Sequence, residues 1–167
     1  MRVRPKAACS DLPLKQDDGL CESSIMKNNI SFIHSPNIRY DQNYGTLFPP
    51  VWAYTLAAHL PLGWESRVFD CTFEPLDRVA DSLVFAFSGQ NQDLEPVLDA
   101  YNKLKIRFPK SFFIVGGPMT WSLQQEGELD HLQPFDHIFI LDGEETLPNF
   151  LNQIIDTNGP PPEKIIS

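Results

Sequence analysis

The sequence predicts a doubly wound α/β domain, a five-stranded parallel sheet with helices on both faces. Short, almost continuous apolar runs recur five times from Ile30 onward. Strands buried on both faces read this way, whereas half-exposed strands alternate apolar and polar residues. Between these runs lie longer stretches with apolar residues at three- and four-residue steps, the spacing of crossover helices. The length of 167 residues and the 42% hydrophobic content allow one domain with a real core.

The elements follow in order. Residues 1–29 carry Arg2, Arg4 and Lys6 with no apolar stretch behind them, unlike a secretory signal, and Asp11, Asp17, Asp18 and Glu22 do not suit a transit peptide. This segment is expected to be a disordered leader, and residues 30–158 the folded domain. The first strand covers 30–34 and stops at Ser35-Pro36, before a polar loop through Tyr40, Asp41 and Tyr44. Pro49-Pro50 opens a helix over 51–60, apolar nearly all round, and Pro61 and Gly63 stop it. Strands follow at 67–71 and 83–87. The clearest helix has Leu94, Val97, Leu98, Tyr101, Leu104 and Phe108 on one face, Asp93 as its cap and Pro109 beyond its end. A strand over 112–115 breaks at Gly116-Gly117-Pro118, and a weakly patterned segment over 121–132 leads to a strand over 138–141. The last helix buries Leu147, Phe150, Leu151, Ile154 and Ile155, and residues 159–167 read as a linker.

Charge and cysteine usage narrow the function. Thirteen Lys and Arg against 22 Asp and Glu give a net charge of −9. Nucleic acids and anionic membrane surfaces need a basic face, so neither is expected as a partner. No apolar run approaches the roughly 20 residues of a membrane span. Cys9, Cys21 and Cys71 are widely spaced, with no CxxC and no Cys/His cluster. That fits neither a disulfide framework nor a structural zinc site, and a reducing, cytoplasmic setting is expected.

Ligands of such sheets bind beyond the carboxyl ends of the strands. The turns to read are therefore His34-Ser35-Pro36, Asp70, Ser88-Gly89-Gln90, Gly116-Gly117-Pro118 and Asp142-Gly143-Glu144-Glu145-Thr146. Glycine in three of these turns points to a cofactor crevice. The turn after the first strand lacks G-x-G-x-x-G, and no G-x-x-x-x-G-K-[ST] occurs. The acidic pair and lysine of a receiver domain are missing too. Nucleotide and phosphoryl chemistry are thus disfavoured. Trp52, Trp64 and Trp121 read as core or rim residues, Glu126, Glu128 and Asp130 as a solvated face, and His131 and His137 as structural. His34 reads as a packed strand-end histidine, and adjacent acids such as Glu144 and Glu145 point apart on a helix.

Several of these residues resemble a known family. Phe48-Pro49-Pro50 with the helix from Trp52 to Leu60, Ser88-Gly89-Gln90, Val115-Gly116-Gly117-Pro118 and Asp142-Gly143-Glu144-Glu145-Thr146-Leu147 fall in the order of the cobalamin-binding domain of cobalamin-dependent radical S-adenosylmethionine enzymes. The resemblance covers about residues 30–156 and implies a flavodoxin-like, Rossmann-like fold. It also implies cobalamin bound with its nucleotide tail extended down the crevice. Ser88 would hydrogen-bond the tail, Gly116 and Gly117 would lie against the benzimidazole, and Gly143, Glu144 and Thr146 would form the far wall. The corrin would rest over residues 40–46, with Tyr44 beneath it. The cofactor-binding set expected on this basis is Ser35, Tyr44, Ser88, Gly89, Gln90, Gly116, Gly117, Pro118, Gly143, Glu144 and Thr146, with no catalytic and no metal-ligating residue.

Two departures define what the resemblance leaves out. Cobalamin domains that supply a histidine ligand carry D-x-H-x-x-G after the first strand, whereas Asp41-Gln42-Asn43-Tyr44-Gly45 has Asn43 in that place. This fits base-off binding without a histidine. The cluster-binding C-x-x-x-C-x-x-C is absent, so no iron–sulfur cluster is expected in this chain, which would act only with a radical S-adenosylmethionine domain or subunit. Two alternatives stay open: a non-catalytic α/β interaction domain that has lost the cofactor and docks a partner through its acidic surface, and a small flavodoxin-like flavin binder.

Overall fold

A computed structural model describes residues 28–37, 49–140, 142–157 and 159–166. The expected leader and the loop bearing Tyr44 lie outside the described residues, apart from the leader's last two. Strands β1 (Asn29–His34), β2 (Glu65–Asp70), β3 (Val84–Ser88), β4 (Phe112–Gly116), β5 (His137–Phe139) and β6 (Ile165–Ile166) form one sheet. Their order is β2-β1-β3-β4-β5-β6, and every neighbouring pair is parallel. The helices are α1 (Val51–Ala58), α2 (Leu94–Arg107), α3 (Pro118–Glu126) and α4 (Gly143–Thr157).

Alternate residues of the strands serve two cores. Ile33, Phe85, Phe87, Phe113, Val115 and Ile138 meet α2 and α3 on one face. Ile30, Phe32, Val84, Ala86, Ile114 and Phe139 meet α1 and α4 on the other. Every residue of β3 is buried, which is why its sequence shows no alternation. Within β1, Ser31 is buried without penalty because its hydroxyl lies 2.7 Å from that of Ser82. The outer strand β2 tolerates Glu65, Ser66 and Arg67 because an edge strand is exposed.

The sheet has six strands rather than five. The segment read as a linker turns back after α4 and lays Ile165–Ile166 beside β5, with Ile138 N–H donating to Lys164 O and Ile140 N–H to Ile166 O. A two-residue strand behind three prolines carries no periodicity, so only its partner reveals it. The weakly patterned 121–132 segment resolves into α3, which starts at Pro118, and a separate 3-10 turn at Leu129–Leu132. Gly127, at φ +75°, ends α3 in the left-handed conformation that favours glycine.

Candidate functional site

The carboxyl ends of β3, β4 and β5 open into a cleft of about 560 Å³. Its floor is Ala86, Phe87, Ser88, Ile114, Val115, Gly116, Phe139 and Ile140. Val51, Trp52, Thr55 and Leu56 of α1 form one wall, Gly117, Pro118 and Trp121 another, and Asp142, Gly143, Glu144 and Leu147 at the start of α4 a third. The walls are mostly apolar, and the volume lies in the range of roughly 300–1,000 Å³ typical of small-molecule sites. Trp121 stands on the rim, 58% exposed, and Val51 is 62% exposed. Trp52 packs edge-on against Phe32 and makes a long 3.5 Å hydrogen bond from Nε1 to Nδ1 of His34.

Six of the eleven expected residues line this cleft: Ser88, Gly116, Gly117, Pro118, Gly143 and Glu144. Among the described residues the Ser88 hydroxyl has no hydrogen-bond partner, and it lies against Gly117. The glycines also answer to the protein's own packing. A Cβ at Gly116 would sit 3.2 Å from Cβ of Phe139, and one at Gly143 would sit 3.0 Å from Cδ2 of Leu56. At Gly117, φ +85° with ψ −166° is a backbone state nearly confined to glycine.

Four expected residues do not line the cleft. Ser35, Gly89 and Gln90 lie where the loops after β1 and β3 are stitched together. Ser35 donates to Pro96 O at 3.0 Å, Asn37 N–H to Oδ1 of Asp93 at 2.8 Å, and Gln90 N–H to Oδ2 of Asp93 at 2.8 Å. A Cβ at Gly89 would press on Asp93. Asp93 is therefore a buried hub joining two loops, and its carboxylate does not cap α2. Thr146 turns its hydroxyl to Asp142 O at 2.9 Å and faces a separate groove with Phe150 and Gln153. Tyr44 falls outside the described residues.

Sequence reasoning missed Thr55 and Leu56 in the wall, Ile114 and Phe139 in the floor, and Thr120 as a support. Buried Thr120 sets its hydroxyl against Gly117 O at 2.8 Å and Phe139 O at 2.7 Å, tying the start of α3 to the end of β5. A threonine two residues after a helix-opening proline is the signal that was there to read.

Cys71 follows β2, half-buried beside Ser35. Burial pushes its thiol up to about 11, with the hydrogen bond to Ser35 acting in the opposite direction. A raised thiol value favours the neutral folded form, so this contribution is intact below the ordinary value near 9 and lost as pH rises through 11. Its loss amounts to about 2–3 kcal/mol. In a Cys9→Ser/Cys21→Ser background, carbamidomethylation of Cys71 at pH 9 is expected to run far below the rate of a free thiol and to climb towards pH 11. Alkylation at pH 9 as fast as for a small thiol would contradict this.

Fold and cleft together define a parallel α/β domain with an apolar cleft at the carboxyl edge of its sheet. No family model and no curated protein matches the chain. Among the described residues no helix is long and apolar enough to cross a membrane, and no group of three His, Cys, Asp or Glu could hold a metal ion.

Proposed function

We propose that this chain is a cobalamin-binding module, taking the cofactor base-off and without a histidine ligand, and serving a radical S-adenosylmethionine domain or subunit. The observation that carries the reading is convergence. Residues from four separated parts of the resemblance, Trp52 with Thr55 and Leu56, Ser88, Gly116 to Pro118 and Gly143 to Glu144, line one cleft. The strand order β2-β1-β3-β4-β5, with β6 added outside, supports a flavodoxin-like reading of the domain.

The residues fit the group in kind. An apolar floor suits an aromatic base, the Ser88 hydroxyl is available to a polar tail, and about 560 Å³ suits the nucleotide end of the cofactor rather than its whole bulk. When bound, cobalamin supplies the methyl-relay chemistry of its cobalt, and the protein supplies position. Here Ser88 orients the tail, the backbone at Gly116 and Gly117 gives it a flat surface, and α1 keeps water from the buried side.

Thr55→Trp tests this reading. Thr55 faces the cleft and spends its hydroxyl within its own helix, on Val51 O at 3.1 Å. The variant should keep its thermal midpoint while filling the cleft. Hydroxocobalamin is expected to co-elute with the native chain in gel filtration and to bind the variant at least about tenfold more weakly, or 1.4 kcal/mol. Elution of the native chain without absorbance in the visible would overturn the proposal and favour the interaction-domain alternative, which the exposed Val51, Tyr54 and Trp121 also support.

A further inference from the structure

We infer that the cleft selects by charge: Asp142 and Glu144 make it a site for planar rings that are neutral or cationic where they meet α4, and they exclude phosphomonoesters and other anionic ring systems. The inference rests on the cleft being a cofactor site and deepens that reading by naming the ligand chemistry.

Three observations converge. First, the ionisable side chains that line the cleft are both acids, and among the described residues no Lys, Arg or His lines it. Four of the seven described Lys and Arg side chains are committed elsewhere. Arg107 donates to the carbonyls of Leu76, Asp77 and Val79, Lys103 pairs with Asp99, Lys105 with Asp136, and Lys164 bonds Gln133 O.

Second, several N–H groups at the helix starts by the cleft are already engaged, unlike those of an anion cradle, in which free N–H groups point at a phosphate. At the start of α3, Pro118 has no N–H, Met119 N–H donates to Gly89 O at 3.0 Å and Thr120 N–H to Gly117 O at 3.1 Å. At the start of α4, the N–H groups of Glu145 and Thr146 go to Asp142 O. Glu144 and Glu145 already occupy the positive end of that helix.

Third, the space between is apolar and flanked by the indoles of Trp52 and Trp121, surfaces that favour flat rings and attract cations. A phosphate dianion placed here would meet two carboxylates and no counter-charge. Cobalamin is compatible in the orientation that turns its neutral benzimidazole, and not its phosphodiester, toward Asp142 and Glu144.

Equilibrium dialysis with proflavine, a planar cation, and anilinonaphthalene sulfonate, a planar anion, tests the inference on the full chain. Proflavine is expected to bind at least about tenfold more tightly, a preference that falls with added salt because the rim is exposed. Asp142→Asn/Glu144→Gln should remove most of the preference, and Thr55→Trp should abolish proflavine binding. Equal binding of both dyes, binding of neither, an undiminished preference in the neutralised variant, or retention of proflavine by Thr55→Trp would each overturn it. Hydroxocobalamin separates the two readings: its failure to bind where proflavine does bind overturns the cofactor assignment and leaves the charge selection standing.

Discussion

Gly117→Ala is expected to lower the stability of the chain by about 3–4 kcal/mol. Two terms contribute. At φ +85° and ψ −166° any side chain is strained, at roughly 1–3 kcal/mol. The new methyl would also overlap the Ser88 hydroxyl, which is 7% exposed and held at the end of β3. The terms separate in a double-mutant cycle. Ser88→Ala removes the overlapping oxygen and leaves the strain, so Ser88→Ala/Gly117→Ala should be more stable than Gly117→Ala alone while still below Ser88→Ala. Urea denaturation midpoints read both. A Gly117→Ala chain as stable as the native one would show that the turn from β4 into α3 is not built as described.

Phe113→Ala carries the second large effect, a loss of about 4 kcal/mol. Phe113 is fully buried on β4 and stacks on Phe85 at 5.1 Å, while Tyr101 of α2 meets it edge-on at 5.2 Å and the Lys105 ammonium lies 4.7 Å from its centre. Removing the ring leaves a cavity that these neighbours cannot all close at once. A domain of this kind has about 5–15 kcal/mol in total, so the variant should melt well below the native chain. Phe113→Leu, which keeps most of the volume, should recover more than half of the loss. A thermal midpoint for Phe113→Ala within a few degrees of native would contradict the assigned core.

What the sequence made legible follows from burial. β3 and β4 could be read because both of their faces are covered, and α2 because Val97, Ala100, Tyr101 and Leu104 sit at helical spacing on one core. β6 could not, since its two isoleucines acquire meaning only from Ile138 and Phe139 across the ladder. The site divides in the same way. The rule that ligands gather at strand ends picked out Ser88, Gly116 and Gly117, but could not show that Asp93 draws the loops after β1 and β3 together. That contact joins residues 56 apart and holds Gly89 and Gln90 away from the cleft, while Ser35 turns its hydroxyl to Pro96 O. Conversely, α1 is apolar all round and reads as core throughout, so nothing in its pattern singles out Thr55 and Leu56 as a wall.

The most direct test of the proposed function is the electron paramagnetic resonance spectrum of cob(II)alamin mixed with the chain at neutral pH. A nitrogen bound below the cobalt, whether from the cofactor's own base or from a histidine, splits each cobalt hyperfine line into a triplet. Base-off binding without a histidine predicts lines with no such triplet, in step with the fraction of cofactor that co-elutes with the protein. A spectrum that keeps its triplet at saturating protein would contradict the account.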